Sequence, residues 1–496
     1  MNPEDFPAPP SYSLPHPELN FLASENRIYD YKNLYAFCNW FAGKLKKYTI
    51  DEEHPLALFS HSSDELVFTI SACWLLRIPF IPISPKMSHP ELQQLLEEIE
   101  SPVAVKDAKT RSRLRRIPGF TIPSKQLNRE AEADPLLFSN RYPKKILGYF
   151  QTSGSTGTPK IVPILRRQVL FAAKSSAENF KPDENRYWLL CLPLNHVGGI
   201  SIILRCLLYH AAIYRMSGYE AGKVAGYLSE NKLFQVASLV PTMLKRLLQN
   251  TAFHVHGEFK AILLGGGPIH SILIEEAVKR GIPIVTSYGM TETFAQIVAN
   301  PMLKPSGMYL PKSSVGKIFK PNEIQVRNDR GEVLPANEPG LIWLRGPQVF
   351  NGYLRQELTG KAFDKDRWFK TGDIGKLNRF QHLFIETRRT DLIITGGENV
   401  NPYEVEEALE KLEGIHEAAV IGIEDEEWGQ RLVAFIHPSE PPDEDDDLNT
   451  EKIRASLKKS LSGFKVPKEF IVMRDLPRTD TRKINRLLLA KIYNKQ

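Results

Sequence analysis

Residues 151–160 read QTSGSTGTPK, the first place along the chain where groups able to hold an anion are concentrated. Gly154 and Gly157 let backbone N–H groups turn toward a ligand with no Cβ in the way. Thr152, Ser153, Ser155, Thr156 and Thr158 add hydroxyl donors, and Lys160 adds a fixed positive charge. The chemistry such a loop can do is phosphate binding. It lacks the Gly-Lys-Ser/Thr ending of a P-loop and the spacing of a dinucleotide fingerprint. Alone, it reads equally well as a flexible surface loop.

Four further segments carry unusual chemistry for their position. SYGMTET (287–293) sets Tyr288, Gly289, Met290, Thr291 and Glu292 directly after a strand-like run. Tyr288 could stack on a purine, Thr291 could bond a phosphate, and Glu292 could hold Mg²⁺. A strand-to-loop turn around a core tyrosine is the plain alternative. WFKTGDIG (368–375) puts Asp373 in a glycine-flanked turn, where a carboxylate could grip the two hydroxyls of a ribose or simply close an Asx-turn. TRRTDLIITGGENVNPYEVE (387–406) joins paired arginines, a two-glycine turn and a helix start with Pro402 in its first turn. PRTDTRKINR (477–486) leaves Lys483 in a polar loop, where a lone lysine is ordinarily just solvated.

These residues need a scaffold, and the chain is long enough for more than one. At 496 residues it exceeds a single compact core, so two or more domains are expected. With 42% hydrophobic and 25% charged residues it has the composition of a soluble globular protein. A net charge of +6 is small for this length; it gives weak support to an anionic small substrate and none to nucleic-acid binding. Cys38, Cys73, Cys191 and Cys206 are widely spaced with no CxxC pair, which argues against zinc or a disulfide framework and fits a reducing cytoplasm. The acidic, proline-rich start does not read as a signal peptide, and no stretch approaches the ~20 apolar residues of a membrane span. The sequence leaves a homo-oligomer open.

PLALFS, ELVFTISACWLLR and PFIPIS (55–84) follow one another in the rhythm of a βαβ unit. The rhythm returns at FQVASLV–PTMLKRLLQN, at AILLGGGP–ILIEEAVKR and at PIVTSYG, implying a largely parallel sheet with ligand loops at its strand ends. Gly265, Gly266 and Gly267 lie at such an end. From about 313 to 385 short strands between Gly/Asn/Asp turns suggest a smaller β subdomain, and after Asp391 the chain returns to mixed α/β. The acidic run EPPDEDDD (440–447) reads as a solvated loop.

As an ordered set, TSGSTGTPK, YGMTET, TGD, the R-x-x-D of Arg388–Asp391 and the terminal lysine resemble the adenylate-forming acyl-CoA synthetase superfamily over about residues 27–490. The resemblance implies an α/β fold: a large N-terminal adenylation domain of βαβ-type sheets plus a β subdomain (1–387), a hinge (388–391) and a small mobile α+β domain (392–496). It makes 152–160 the loop that orders the β- and γ-phosphates of ATP. Gly265, Gly266, Gly267, Pro268 and Tyr288 become adenine-binding elements, with Gly289 and Met290 beside them. Thr291 becomes the α-phosphate contact and Glu292 the magnesium ligand. Asp373 and Arg388 become the ribose pair, and Lys483 the lysine that stabilises the pentacoordinate α-phosphorus. It places a hinge pivot at Thr390 and a CoA thiol route at Gly396 and Gly397.

GGENVNPYEVE, TETFAQIVA and LPLNHVGGISIILRCLLY resemble, more narrowly, the o-succinylbenzoate–CoA ligases of menaquinone biosynthesis. Arg205 is the residue of most interest. On a helix over 199–210 its neighbours would be Ile202, Leu208 and Tyr209, an apolar face where an unpaired guanidinium is costly. A second substrate carboxylate would pair with it bidentately; a structural Arg–Glu pair or a snorkelling side chain is the alternative. By resemblance His196, Ser287 and Gln296 border the acyl pocket. Four residues depart from the family pattern: Arg482 and Thr387 stand where glycine is usual, and Asn195 and Asn401 where aromatics are common. The function implied is ATP- and Mg²⁺-dependent ligation of o-succinylbenzoate to CoA. A ligase for another aryl or medium-chain acid, and a nucleotide-binding sensor without turnover, are the competing readings.

Overall fold

The computed structural model describes residues 12–25, 27–114, 117–132, 145–152, 160–267, 269–301, 314–388, 391–395, 398–426, 428–439, 450–479 and 482–494. Ser153, Gly154, Ser155, Thr156, Gly157, Thr158, Pro268, Thr390, Gly396, Gly397 and the acidic run 440–447, all singled out above, lie outside the described residues, as does the side chain of Arg388. The chain divides into two compact units, Met1–Ile324 with Leu344–Lys370, and Gln325–Trp343 with Thr371–Gln496.

The first unit is built on two sheets. The larger has nine strands, in the order Lys317–Ile318, Ala295–Ala299, Ile284–Met290, Ala261–Leu264, Phe234–Leu239, Tyr187–Leu190, Ala212–Arg215, Asn20–Ser24 and Arg27–Asp30. Its interior pairs are parallel, and antiparallel strands close both edges. The strands YWLL, FQVASL and AILL are buried throughout, as expected of a sheet covered on both faces. The second sheet has six strands, and in it the βαβ unit read from 55–84 appears as Leu56–Phe59, the helix Asp64–Leu76 and Phe80–Pro82, paired parallel. Ser63 starts that helix by accepting the Leu66 N–H, and Arg77 ends it in the left-handed region (φ 59).

One local expectation is corrected here. Tyr288, Gly289 and Met290 are not a turn after a strand; the strand Ile284–Met290 continues through them. It does so because it pairs antiparallel with Ala295–Ala299, a partner that local sequence does not announce.

In the second unit, the chain from Ile393 onward forms a mixed sheet around the long hairpin Ile415–Asp425/Gly429–Pro438, with Glu469–Val472 added in parallel. The helix Pro402–Glu410 packs on that hairpin over Val405, Leu409, Val420 and Leu432. The expected β region is a four-stranded sheet ordered Glu323–Arg327, Gly340–Arg345, Phe369–Leu377, Leu383–Arg388. By compactness most of it groups with the C-terminal residues, whereas sequence texture placed it with the N-terminal ones. Among the described residues no helix is long and apolar enough to cross a membrane.

Candidate active site

The phosphate-loop segment is held at both ends. Thr152 closes the strand Ile146–Thr152, Lys160 opens Lys160–Leu165, and the two residues are register partners. The Lys160 ammonium lies over the Tyr353 ring, 5.0 Å from its centroid. The Tyr353 hydroxyl in turn donates to Glu292 Oε1 at 2.8 Å. One tyrosine thus brings the loop lysine and the candidate metal ligand to a common place. Glu292 is buried, and the Phe350 N–H donates to its carbonyl at 2.9 Å. A single buried carboxylate beside a phosphate loop fits Mg²⁺, which keeps waters and phosphate oxygens in most of its shell. No cluster of three or more acidic, His or Cys ligands occurs among the described residues.

The strand ends converge on the same region. The Gly265 turn follows Ala261–Leu264, and Ser287, on the neighbouring parallel strand, donates to Leu264 O at 3.1 Å. A Cβ at Gly265 would fall 2.6 Å from Ser287 Oγ. At Gly289 a Cβ would fall 1.8 Å from Ala295 O, so glycine is required for the two strands to meet. Between them Thr291–Thr293 makes one 3-10 turn, and Phe294 (φ 47) and Ala295 (φ 68) leave it in the left-handed region. Two successive non-glycine residues there store strain, which persists only where surroundings fix it. Gln348 does the fixing: fully buried, it donates to Thr293 O at 2.9 Å and to Gln296 O at 2.6 Å. Tyr353 and Gln348 were not visible in the sequence. Both lie over 50 residues from their partners, and only an aromatic, Asn-Gly-punctuated stretch marks them.

The helix Val197–Tyr209 is buried from Gly199 to its end, as expected of a helix apolar nearly all round, with Ser201 and Arg205 as its polar side chains. It packs on Tyr187–Leu190, Ala212–Arg215 and Ala295–Ala299 on one side and on the helices Asp64–Leu76 and Arg166–Asn179 on the other. His196 precedes it, and Asn195 Nδ2 lies 3.1 Å from His196 Nε2. That contact gives the departure at 195 a role: an amide there orients the imidazole.

Arg205 is 2% exposed, and its Nε and Nη2 have no hydrogen-bond partner. Its guanidinium stands 5.9 Å from the Trp188 ring. Burial lowers its pKa, with Tyr209 and Cys206 opposing. No Arg–Glu pair is present at Arg205 among the described residues, and a fully buried side chain does not snorkel. Gln296, on the strand packed against this helix, is also buried with both carboxamide atoms unpaired. Leaving such groups unsatisfied costs about 1–3 kcal/mol for the amide and more for the charge. Arg205 lies roughly 13 Å along the helix axis from His196.

In the second unit Asp373 and Arg388 are register partners in adjacent antiparallel strands. Asp373 is therefore in a strand, not the turn its flanking glycines suggested; Gly372 (φ +81) bends that strand without ending it. Lys483 is exposed, in a loop closed by the bridge between Arg478 and Ile484. The loop is fastened by Thr479 N–H to Lys483 O at 2.8 Å, Arg482 N–H to Thr479 O at 2.9 Å and an Arg478–Glu417 ion pair. Arg482 has φ 60, the left-handed conformation that favours glycine, which explains the glycine usual there. Asn401 caps the helix Pro402–Glu410 by accepting the Tyr403 N–H at 3.0 Å and donates to Glu386 O at 2.6 Å, work an aromatic could not do. Thr387 is buried, 1% exposed.

The AMP-binding enzyme family matches residues 14–354, and the AMP-binding enzyme C-terminal domain matches 404–483. A 2-succinylbenzoate–CoA ligase of Oceanobacillus iheyensis is 33% identical over 462 residues, 93% of this chain and 94% of that one. The o-succinylbenzoate CoA synthetase of Bacillus subtilis, solved with the acyl-adenylate intermediate OSB-AMP, superposes with a TM-score of 0.82 at 29% identity, covering 95% of each chain. The same B. subtilis protein with ATP and magnesium ion also gives 0.82, at 30% identity, covering 95% of this chain and 97% of that one. The chain belongs to the AMP-binding enzyme family.

Proposed function

We propose that this protein is an AMP-forming acid–CoA ligase acting on o-succinylbenzoate in menaquinone biosynthesis. It adenylates one carboxylate of the acid with ATP, releasing pyrophosphate, then transfers the acyl group to CoA and releases AMP. The observation that carries the choice of acid is Arg205, a buried guanidinium with no acid beside it among the described residues, on a helix packed against the strand of Gln296, whose carboxamide is also unpaired there. A substrate carboxylate supplies what both lack. The axial distance from His196 to Arg205 suits an acid charged at both ends better than a short monocarboxylate.

In this reading the 152–160 loop and Lys160 hold the β- and γ-phosphates, with Tyr353 keeping Lys160 and Glu292 in register. Glu292 would hold Mg²⁺, which would supply charge neutralisation at the phosphates. Gly265–Pro268 and Tyr288 frame the adenine, Thr291 contacts the α-phosphate, and Asp373 with Arg388 grips the ribose. Lys483 supplies positive charge to the α-phosphoryl as it is attacked, which is positioning and electrostatics, not covalent catalysis. The attacking carboxylate needs no base, so His196 lines the pocket. The hinge at 388–391, pivoting on Thr390, lets Gly396 and Gly397 replace Lys483 for thioester formation. The four free cysteines support a reducing, cytoplasmic setting.

The test compares o-succinylbenzoate with an analogue whose non-activated carboxylate is a neutral amide. The native enzyme should prefer the acid by roughly 10²-fold in kcat/KM, about 1.5–3 kcal/mol for a hydrogen bond to a charged group, and Arg205→Gln should erase most of that preference. Equal preference in both proteins would show that Arg205 does not meet the substrate.

A further inference from the structure

Arg205 is not the only buried guanidinium in the first unit: Arg166 and Arg167 are buried as well, and Arg167 donates to Asn351 Oδ1 at 3.1 Å. Arg166, the first residue of the helix Arg166–Asn179, is 8% exposed. Its guanidinium lies 4.0 Å from the Trp74 ring centroid, and no carboxylate pairs with it among the described residues. The charge it faces is another arginine: burial, and then the charge of Arg77, push its pKa down to about 9. Stacking on tryptophan offsets only part of the cost of taking that charge out of water.

Arg166 and Arg77 line a cavity of about 40 Å³ walled by Tyr12, Tyr31, Tyr35 and Trp74. One water-sized probe occupies roughly 10–15 Å³, so the space matches the head of a carboxylate or phosphate. The three hydroxyls donate to carbonyls, Tyr31 to Ala211 at 3.0 Å, Tyr35 to Pro15 at 2.6 Å and Tyr12 to Leu170 at 3.3 Å. Arg166 and Arg77 are the charged residues among those that line the cavity.

The cavity stands apart from the candidate active site. Arg166 follows the strand Lys160–Leu165, whose other end carries the loop lysine. At about 3.3 Å per residue that strand separates them by roughly 17–20 Å. Leu207 and Leu208, which also line the cavity, lie in the last turn of the helix that His196 begins.

We propose that this cavity is a second anion site, binding a small oxyanion, a carboxylate or a phosphate, between Arg166 and Arg77. A planar guanidinium takes such a group bidentately, and an anion there offsets the cost of keeping the Arg166 charge out of water. The test follows the melting temperature of the full chain, saturated with Mg-ATP, as sodium acetate or sodium phosphate is titrated at constant ionic strength. A saturable rise is expected with at least one of them, the effective anion identifying the source. It should weaken at least about tenfold in Arg166→Met and persist in Arg205→Gln. A crystal soaked with selenate, which needs no variant, should show anomalous density between Arg77 and Arg166. A rise unchanged by Arg166→Met, no saturable rise with either anion, or one appearing only when Glu4 and Asp5 are changed to Gln and Asn would overturn the proposal. The last outcome would make the acidic N-terminal segment the occupant.

Discussion

At residue 482 the chain accepts a penalty that its relatives' usual glycine avoids. The left-handed region costs a non-glycine residue about 1–2 kcal/mol, and Arg482 adopts it (φ 60) one residue before Lys483. Arg482→Gly should therefore stabilise the protein by about 1 kcal/mol, read as a higher urea midpoint with an unchanged slope. A lower midpoint would mean that the arginine side chain contributes more than its backbone costs. The position was legible in the sequence as a departure from pattern. Its reason was not, because φ is fixed by the loop's hydrogen bonds to Thr479 and Lys483. Arg205 was legible for the opposite reason: helical spacing alone surrounds it with Ile202, Leu208 and Tyr209, all buried here.

Elements were legible where their signal is local. The βαβ units follow from short apolar runs, glycine turns and a serine or proline at helix starts, all within a few residues of one another. Strand continuation through Tyr288–Met290 and through Asp373 was missed, since each depends on a partner strand. The helix Pro402–Glu410 carries a comparable long-range feature. Its Glu406, 2% exposed, accepts the Val420 N–H at 2.7 Å and the Arg486 guanidinium at 2.5 Å. Burial pushes the Glu406 carboxyl up to about 7, Arg486 and the Val420 N–H opposing. For Arg486 burial works against the charge, but Glu406, Tyr403 and Asp391 outweigh it, so the guanidinium stays charged. The folded state thus holds a proton on Glu406 between its unfolded value of 4.5 and about 7 that the unfolded chain has lost. Stability from this group is complete below the lower value and is lost as pH rises through the upper one. Between pH 5 and 8 the native protein should lose up to about 2–3 kcal/mol relative to Glu406→Gln, measured by urea unfolding at each pH. Parallel profiles for the two proteins would contradict this.

For the whole molecule, the proposed function divides its residues between the two compact units. The phosphate-loop lysine, Glu292, the strand-end glycines and Arg205 belong to the first, and Asp373, Arg388 and Lys483 to the second. Texture reads the β region with the N-terminal residues, whereas compactness groups most of it with the C-terminal ones, because compactness depends on packing that composition does not encode. The proposal requires both units to act in turn on one acid. The most direct test supplies purified protein with Mg-ATP and o-succinylbenzoate, benzoate, 4-hydroxycinnamate, acetate or octanoate, first without and then with CoA. Pyrophosphate and products are followed by enzyme-coupled assay and mass spectrometry. The account predicts pyrophosphate and an enzyme-held acyl-adenylate with o-succinylbenzoate before CoA is added, then AMP and o-succinylbenzoyl-CoA after it, with the other acids inactive. Turnover of a monocarboxylate in preference to o-succinylbenzoate, or ATP binding with no pyrophosphate from any acid, would contradict it.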